Sequence, residues 1–168
     1  MLVAILSDIH DNIWALEKVV DGANAAGAAA LLFCGDFCAP FSLALLAERF
    51  RGPIHAVAGN NDGDMLLLAR NAAKAGNVTL HGPFAELSLE GRRLFVVHYP
   101  TIGEAVAAGG LYDLVCCGHN HQPETRRIGK SLLVNPGEVM GRFGHSTYAV
   151  YNTVSGEAEL REAASVSR

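Results

Sequence analysis

The chain is poor in the features that several large protein classes depend on. Of its 168 residues, 18% are charged and 7% are aromatic, with one tryptophan. Thirteen Lys and Arg stand against seventeen Asp and Glu, a formal charge of -4. The tight basic pairs, Arg92-Arg93 and Arg126-Arg127, read as solvated strand edges. Counterion release on a polyanion needs clustered cations, so no nucleic-acid-binding module is expected. No apolar run approaches the roughly 18 residues of a membrane span. Leu2–Leu6 ends at Asp8 and lacks the basic flank of a signal peptide, so the expected location is the cytoplasm, with no membrane partner. None of the four cysteines forms a CxxC pair: Cys34, Cys116 and Cys117 lie in apolar runs and Cys38 in a loop. Thiolate metal binding is excluded, and reduced thiols are expected.

What is present is a folded composition, half of it hydrophobic, without repeats, low-complexity tracts or linkers. It predicts a single domain over residues 1–168. Apolar runs at Leu2–Leu6, Leu31–Cys34, Ile54–Ala58, Leu94–Val97 and Leu114–Cys117 predict strands. Between them, Ile13, Leu16, Val20 and Ala23 recur at helical spacing, capped by Asp11 or Asn12 and closed by Gly27. Leu43, Leu46, Ala47 and Phe50 outline a second helix before Gly52-Pro53, and Met65, Leu68, Ala69 and Ala72 a third before Gly76. Such alternation predicts a largely parallel sheet. Turn signals at Glu90-Gly91, Gly129-Lys130 and Ser155-Gly156 predict hairpins and a second, more antiparallel sheet packed on the first, with a long loop over Asn135 to His145. The fold class is therefore α/β, two packed mixed sheets flanked by helices.

Five predicted strands run directly into residues able to bind metal: Ser7-Asp8-Ile9-His10, Gly35-Asp36, Gly59-Asn60-Asn61-Asp62, His98 and Gly118-His119-Asn120-His121. Ligands of open α/β sheets gather at the carboxyl ends of the strands, so these segments converge on one rim. Asp8, His10, Asp36, Asn60, His98, His119 and His121 are oxygen and nitrogen donors, which favours manganese, iron, nickel or zinc. Asp8 and His10, like His119 and His121, are two apart and would point the same way in extended backbone. Glycines 35, 59 and 118 would let the backbone turn sharply and approach an ion or phosphate. Seven donors exceed one tetrahedral site but suit two metals sharing a carboxylate.

These motifs, in this order, resemble those of the calcineurin-like metallophosphoesterase superfamily, and the short length and Asn135-Pro136-Gly137 look like its small YfcE-like phosphodiesterase branch. The resemblance spans residues 1 to about 150. It implies a four-layer sandwich and a hydrolase of phosphate esters, foremost activated or small-molecule phosphodiesters. Two divalent ions, manganese first, serve as cofactors, with a hydroxide between them as nucleophile. Asp8, His10, Asp36 and His121 would hold the first metal. Asp36 would bridge to the second, completed by Asn60, His98 and His119. Self-association into a homo-oligomer is common among such relatives. The alternative on the same fold is an interaction scaffold without metal chemistry, like the retromer small subunit.

Three positions depart from the family pattern. Asn61 stands where many relatives have a His able to protonate the leaving group; an amide donates a hydrogen bond but releases no proton near neutral pH. Tyr99 follows His98 where a small residue is usual, and is expected to crowd the pocket or stack on substrate. Glu138 follows Asn-Pro-Gly where Ser is common, and is expected to bring negative charge to the rim. Arg142, in the long loop, is a candidate phosphate contact beside its simpler reading as a surface residue. Asp62 is expected to cap the following helix, Trp14 to be partly buried packing, and His55, His81 and His145 to be structural or exposed.

Overall fold

The computed structural model describes residues 1–163. Eleven strands and four helices follow one another as β1 (Leu2–Leu6), α1 (Ile13–Ala25), β2 (Ala30–Phe33), α2 (Pro40–Arg49), β3 (Ile54–Ala56), α3 (Met65–Ala75), β4 (Val78–Leu80), β5 (Phe84–Leu89), β6 (Arg92–Val97), α4 (Pro100–Ala108), β7 (Leu114–Cys116), β8 (Glu124–Ile128), β9 (Ser131–Asn135), β10 (Thr147–Asn152) and β11 (Glu157–Glu162). They form two mixed sheets, in the orders β11-β10-β1-β2-β3-β4 and β5-β6-β7-β9-β8.

Strand parity builds the layers. Side chains alternate across a strand, so Ala4 and Leu6 face α1 to α3 with Leu31 and Phe33, while Val3, Ile5 and Leu32 face the second sheet. There they meet Leu94, Val96, Leu114, Cys116, Leu132 and Val134. The opposite parity of the second sheet, Phe95, Val97, Val115, Cys117 and Leu133, packs with Ala107 of α4 and with Tyr112. The result is helices, sheet, sheet, helix.

One expectation about the elements needs correction. The hairpin around Ser155-Gly156 joins the first sheet, where β10 pairs antiparallel with β1, and not the second. The second sheet is mixed as expected: β6, β7 and β9 run parallel to one another, and β5 and β8 pair antiparallel at its edges. Two elements, β4 and α4, carry little periodic signal. Pro100 occupies the first turn of α4, where its missing N–H is harmless. Gly103, whose Cβ would lie 3.4 Å from that of Cys117, lets the helix settle close on the sheet.

Other local readings hold. Asn12 caps α1 through the Ala15 N–H, and Gly76 closes α3 in the left-handed conformation. Cys34, Cys116 and Cys117 are buried, and all four cysteines are free. The basic pairs are engaged as well as solvated: Arg92 bonds Asp113 and Thr153 O, and Arg126 and Arg127 pair with Glu104 and Glu157. No helix among the described residues is long and apolar enough to cross a membrane.

Candidate metal centre

The carboxyl ends of β1, β2, β3, β6 and β7 open onto one rim shared by both sheets. Extended alternation does not aim their donors. Asp8, His10, Asp36, His119 and His121 all have φ between 43° and 71°. Left-handed backbone at a residue with a Cβ costs about 1–3 kcal/mol and clusters at functional sites. The extended geometry expected to align Asp8 with His10 and His119 with His121 is thus replaced by tight turns that curl each loop back over its strand end.

Backbone bonds hold the loops together: Asp8 N–H to Gly35 O (3.0 Å), Ile9 N–H to Asp36 O (2.9 Å) and Gly118 N–H to His98 O (2.9 Å). The glycines act mainly by leaving out a side chain. A Cβ on Gly118 would lie 1.9 Å from Ser7 Oγ and 2.7 Å from Asp8 Oδ2. One on Gly59 would lie 2.1 Å from Asp36 Oδ1.

On one side, Asp8 Oδ1 lies 3.2 Å from His121 Nε2 and 3.5 Å from His10 Nε2. The far nitrogens of both rings are engaged: His121 Nδ1 with Glu138 Oε2 at 2.5 Å, and His10 Nδ1 with Cys38 Sγ at 3.3 Å. A carboxylate can only accept, so the His121 proton sits on Nδ1 and its Nε2 lone pair faces the centre. Burial, then Asp11, Asp36 and Asp62, push the Cys38 thiol up to about 11, so it stays a neutral partner. Asp8 Oδ1 is buried without a hydrogen-bond partner. Lone pairs converging on a buried, orphaned oxygen fit a cation, which is the test these residues pass for a metal.

On the other side, His98 Nδ1 donates to Cys34 O at 2.8 Å, leaving Nε2 as an acceptor. That atom lies 2.9 Å from Asn60 Oδ1, 3.3 Å from His119 Nδ1 and 3.4 Å from Asp36 Oδ2. Asp36 Oδ2 is also 3.6 Å from His10 Nε2, which puts it between the two clusters. Asp8, His10 and His121 form one group with metal-ligand spacing; Asp8, Asp36 and His98 form another.

The field of the site favours positive charge. The Asp8 carboxylate beside it raises the His10 pKa. For His98, burial pulls the pKa down but the Asp36 bond outweighs it. Burial would raise Asp36, yet His98 and the backbone and side-chain N–H groups of Asn61 hold it well below the usual carboxylate range.

The seven predicted ligands are therefore together. The other site residues divide. Tyr99 is 39% exposed, with its ring against His119 (4.8 Å) and His98 (5.2 Å). Asn61 turns inward, donating from N and Nδ2 to the two Asp36 oxygens, each at 2.8 Å. Arg142 is exposed, its guanidinium over Phe143, and is not among the ligands. A cavity of about 370 Å³ opens beside His121, between Pro123, Phe143, His145 and Glu162.

Three expectations change. Asp62 caps nothing: it accepts from the N–H groups of Asp36, Cys38 and Gly59, tying two loops, while Asp64 caps α3. Glu138 is 2% exposed and bonded to His121, so its charge lies behind the ligands instead of on the rim. Trp14 is 67% exposed. Sequence reasoning also missed Cys38 and Phe143 as neighbours of His10 and His121; short range in sequence carries no signal for either.

Residues 1–156 match the calcineurin-like phosphoesterase superfamily domain. The chain belongs to that superfamily. It is 28% identical to Phosphodiesterase MJ0936 of Methanocaldococcus jannaschii, over 91% of this chain and 93% of that one. It is 30% identical to Phosphodiesterase YfcE of Escherichia coli K12, over 83% and 79%. A solved archaeal phosphodiesterase superposes with a TM-score of 0.89 at 26% identity, covering 96% of this chain and 99% of its own. Vps29 of Entamoeba histolytica, at 16% identity and a TM-score of 0.67, shares the fold. The relatives and the domain together make this chain a phosphoesterase.

Proposed function

We propose that the phosphoesterase is a dimetal phosphodiesterase acting on small-molecule or activated phosphodiesters, a reading carried by the orphaned Asp8 Oδ1 facing the His121 lone pair and the near nitrogen of His10. Asp8, His10, Asp36 and His121 would hold one divalent ion, and Asp36, Asn60, His98 and His119 the other. Ions held there would supply a water of lowered pKa and positive charge for the phosphate oxygens, and the nitrogen and oxygen donors suit manganese, iron, nickel or zinc.

The chain's own contribution is positioning. Asn61 aligns Asp36 through two hydrogen bonds, and its amide can donate to a phosphoryl oxygen without supplying a proton. Tyr99 supplies an aromatic wall beside His119, suited to an aryl or other planar leaving group. Arg142 stands outside, able to meet a substrate anion at the rim. The scaffold reading would lead one to expect lost donors, whereas all seven positions keep oxygen or nitrogen donors. Hydrolysis of bis-p-nitrophenyl phosphate with manganese tests the proposal. Asp36→Asn should lower it by more than the roughly 10–100-fold typical of an outer partner. Equal activity of the two proteins would overturn it.

A further inference from the structure

Glu138 is nine-tenths or more buried and uses both of its carboxylate oxygens. Oε2 accepts from His121 Nδ1 at 2.5 Å, and Oε1 accepts from the Phe143 N–H at 2.7 Å. The backbone on either side is laced to the site: Val139 N–H to Ser7 O and Met140 N–H to Asp8 O, both 3.0 Å, with Asn12 Nδ2 donating to Met140 O at 2.8 Å. Beyond it, Gly141 (φ 70°) and Gly144 (φ 130°) let the chain loop outward and back. That loop brings the Phe143 ring, 67% exposed, edge-on to His121 at 5.6 Å.

We propose that Glu138 is a positioning residue with two tasks. It fixes His121 as a ligand of the Asp8-side metal, and through its second oxygen it makes the placement of Phe143 depend on that same metal. The inference rests on the dimetal reading. A buried carboxylate behind a ligating imidazole fixes tautomer and ring direction and increases ligand basicity; Ser at this place could do neither as well. The coupling follows from valence. A carboxylate accepts from His121 and Phe143 at once on its two oxygens, whereas an amide in the same place puts an NH2 donor where one of those oxygens stood, and the N–H aimed at it loses its acceptor. With a cation drawing on His121 Nε2, the Nδ1–H becomes a stronger donor. The carboxylate is then held more firmly, and with it the Phe143 N–H.

The test is manganese titration of the apoprotein by calorimetry, together with hydrogen exchange at the Phe143 amide. Wild type should bind two ions, and Glu138→Gln should weaken one of them by about 10–100-fold while leaving the other unchanged. In wild type the Phe143 amide should exchange more slowly with manganese than without it. That gain should vanish in Glu138→Gln. A merely structural role would lower the melting temperature of the metal-free variant and weaken both ions equally; that result overturns the proposal, as does wild-type affinity at both. If Glu138→Gln does not fold, the wild-type measurement decides alone: exchange at Phe143 indifferent to manganese overturns the coupling. A wild type that binds no metal overturns the dimetal reading itself, and is distinguishable from all of these.

Discussion

Asn61 and Gly118 show how little of a site's engineering lies in the ligands. Asn61 sits where a proton donor would be useful, and its backbone N–H and one of its two Nδ2 hydrogens are spent on Asp36. Catalysis of slow leaving groups by a general acid is worth roughly 10²–10⁴-fold. Asn61→His should therefore speed hydrolysis of alkyl phosphodiesters by about tenfold or more, with little gain on p-nitrophenyl esters, whose leaving group departs unaided. Comparing kcat/KM on the two substrate types checks this, and an equal ratio in both proteins counts against it. Gly118→Ala should destabilise by about 1–3 kcal/mol in urea unfolding, the usual range for an overpacked site, because its Cβ has no room beside Ser7 and Asp8. Donors placed directly after strands are legible as residues. The function of Gly118, Asp62 or Glu138 is not, since each acts on a loop distant in sequence.

Elements with strong periodicity, α1 to α3 and the core strands, are readable because burial on one face writes a period of 3.6 or 2. Short or interrupted elements escape. Three-residue β4 is recognisable only through its parallel pairing with β3. That edge carries its own prediction. His55 and His81 sit 3.1 Å apart, and one ring must accept from the other, so they cannot both be charged there. Burial, then the neighbouring His81, lowers His55 below its ordinary 6.5, and burial lowers His81. Above 6.5 both rings are neutral whether the chain is folded or not, and stability is whole. As pH falls through that value the unfolded chain takes up protons that the folded edge refuses. Stability is lost until the pH passes below the folded values, where the loss levels off. Urea midpoints at about pH 7.5 and about pH 5.5 should differ less in His55→Gln than in wild type. An unchanged difference would clear this pair of the role.

At the scale of the whole molecule, two sheets place five loops on one rim, and the strain of five left-handed ligands has to be offset by the layers beneath. The partition of hairpins between the sheets was not readable, because β10 has the same alternation whichever sheet receives it; its pairing with β1 is decided by tertiary fit. A centre assembled from such distant segments exists only in the folded chain, so metal binding must add to folding stability. Manganese at about 100 times its dissociation constant should stabilise the fold by about 2.7 kcal/mol. For a chain of this size that corresponds to roughly 5–11 °C in melting temperature. Chelation should reverse it, and magnesium, which keeps its waters and prefers oxygen donors, should give less. Asp36→Asn removes the shared charge and should abolish most of the manganese-dependent shift; its metal-free melting temperature should also fall below that of wild type, because the amide keeps one accepting oxygen where the carboxylate gave two to Asn61. A wild-type melting curve indifferent to manganese would mean that the converging lone pairs are satisfied by protons alone, and the two-metal reading would fall with it.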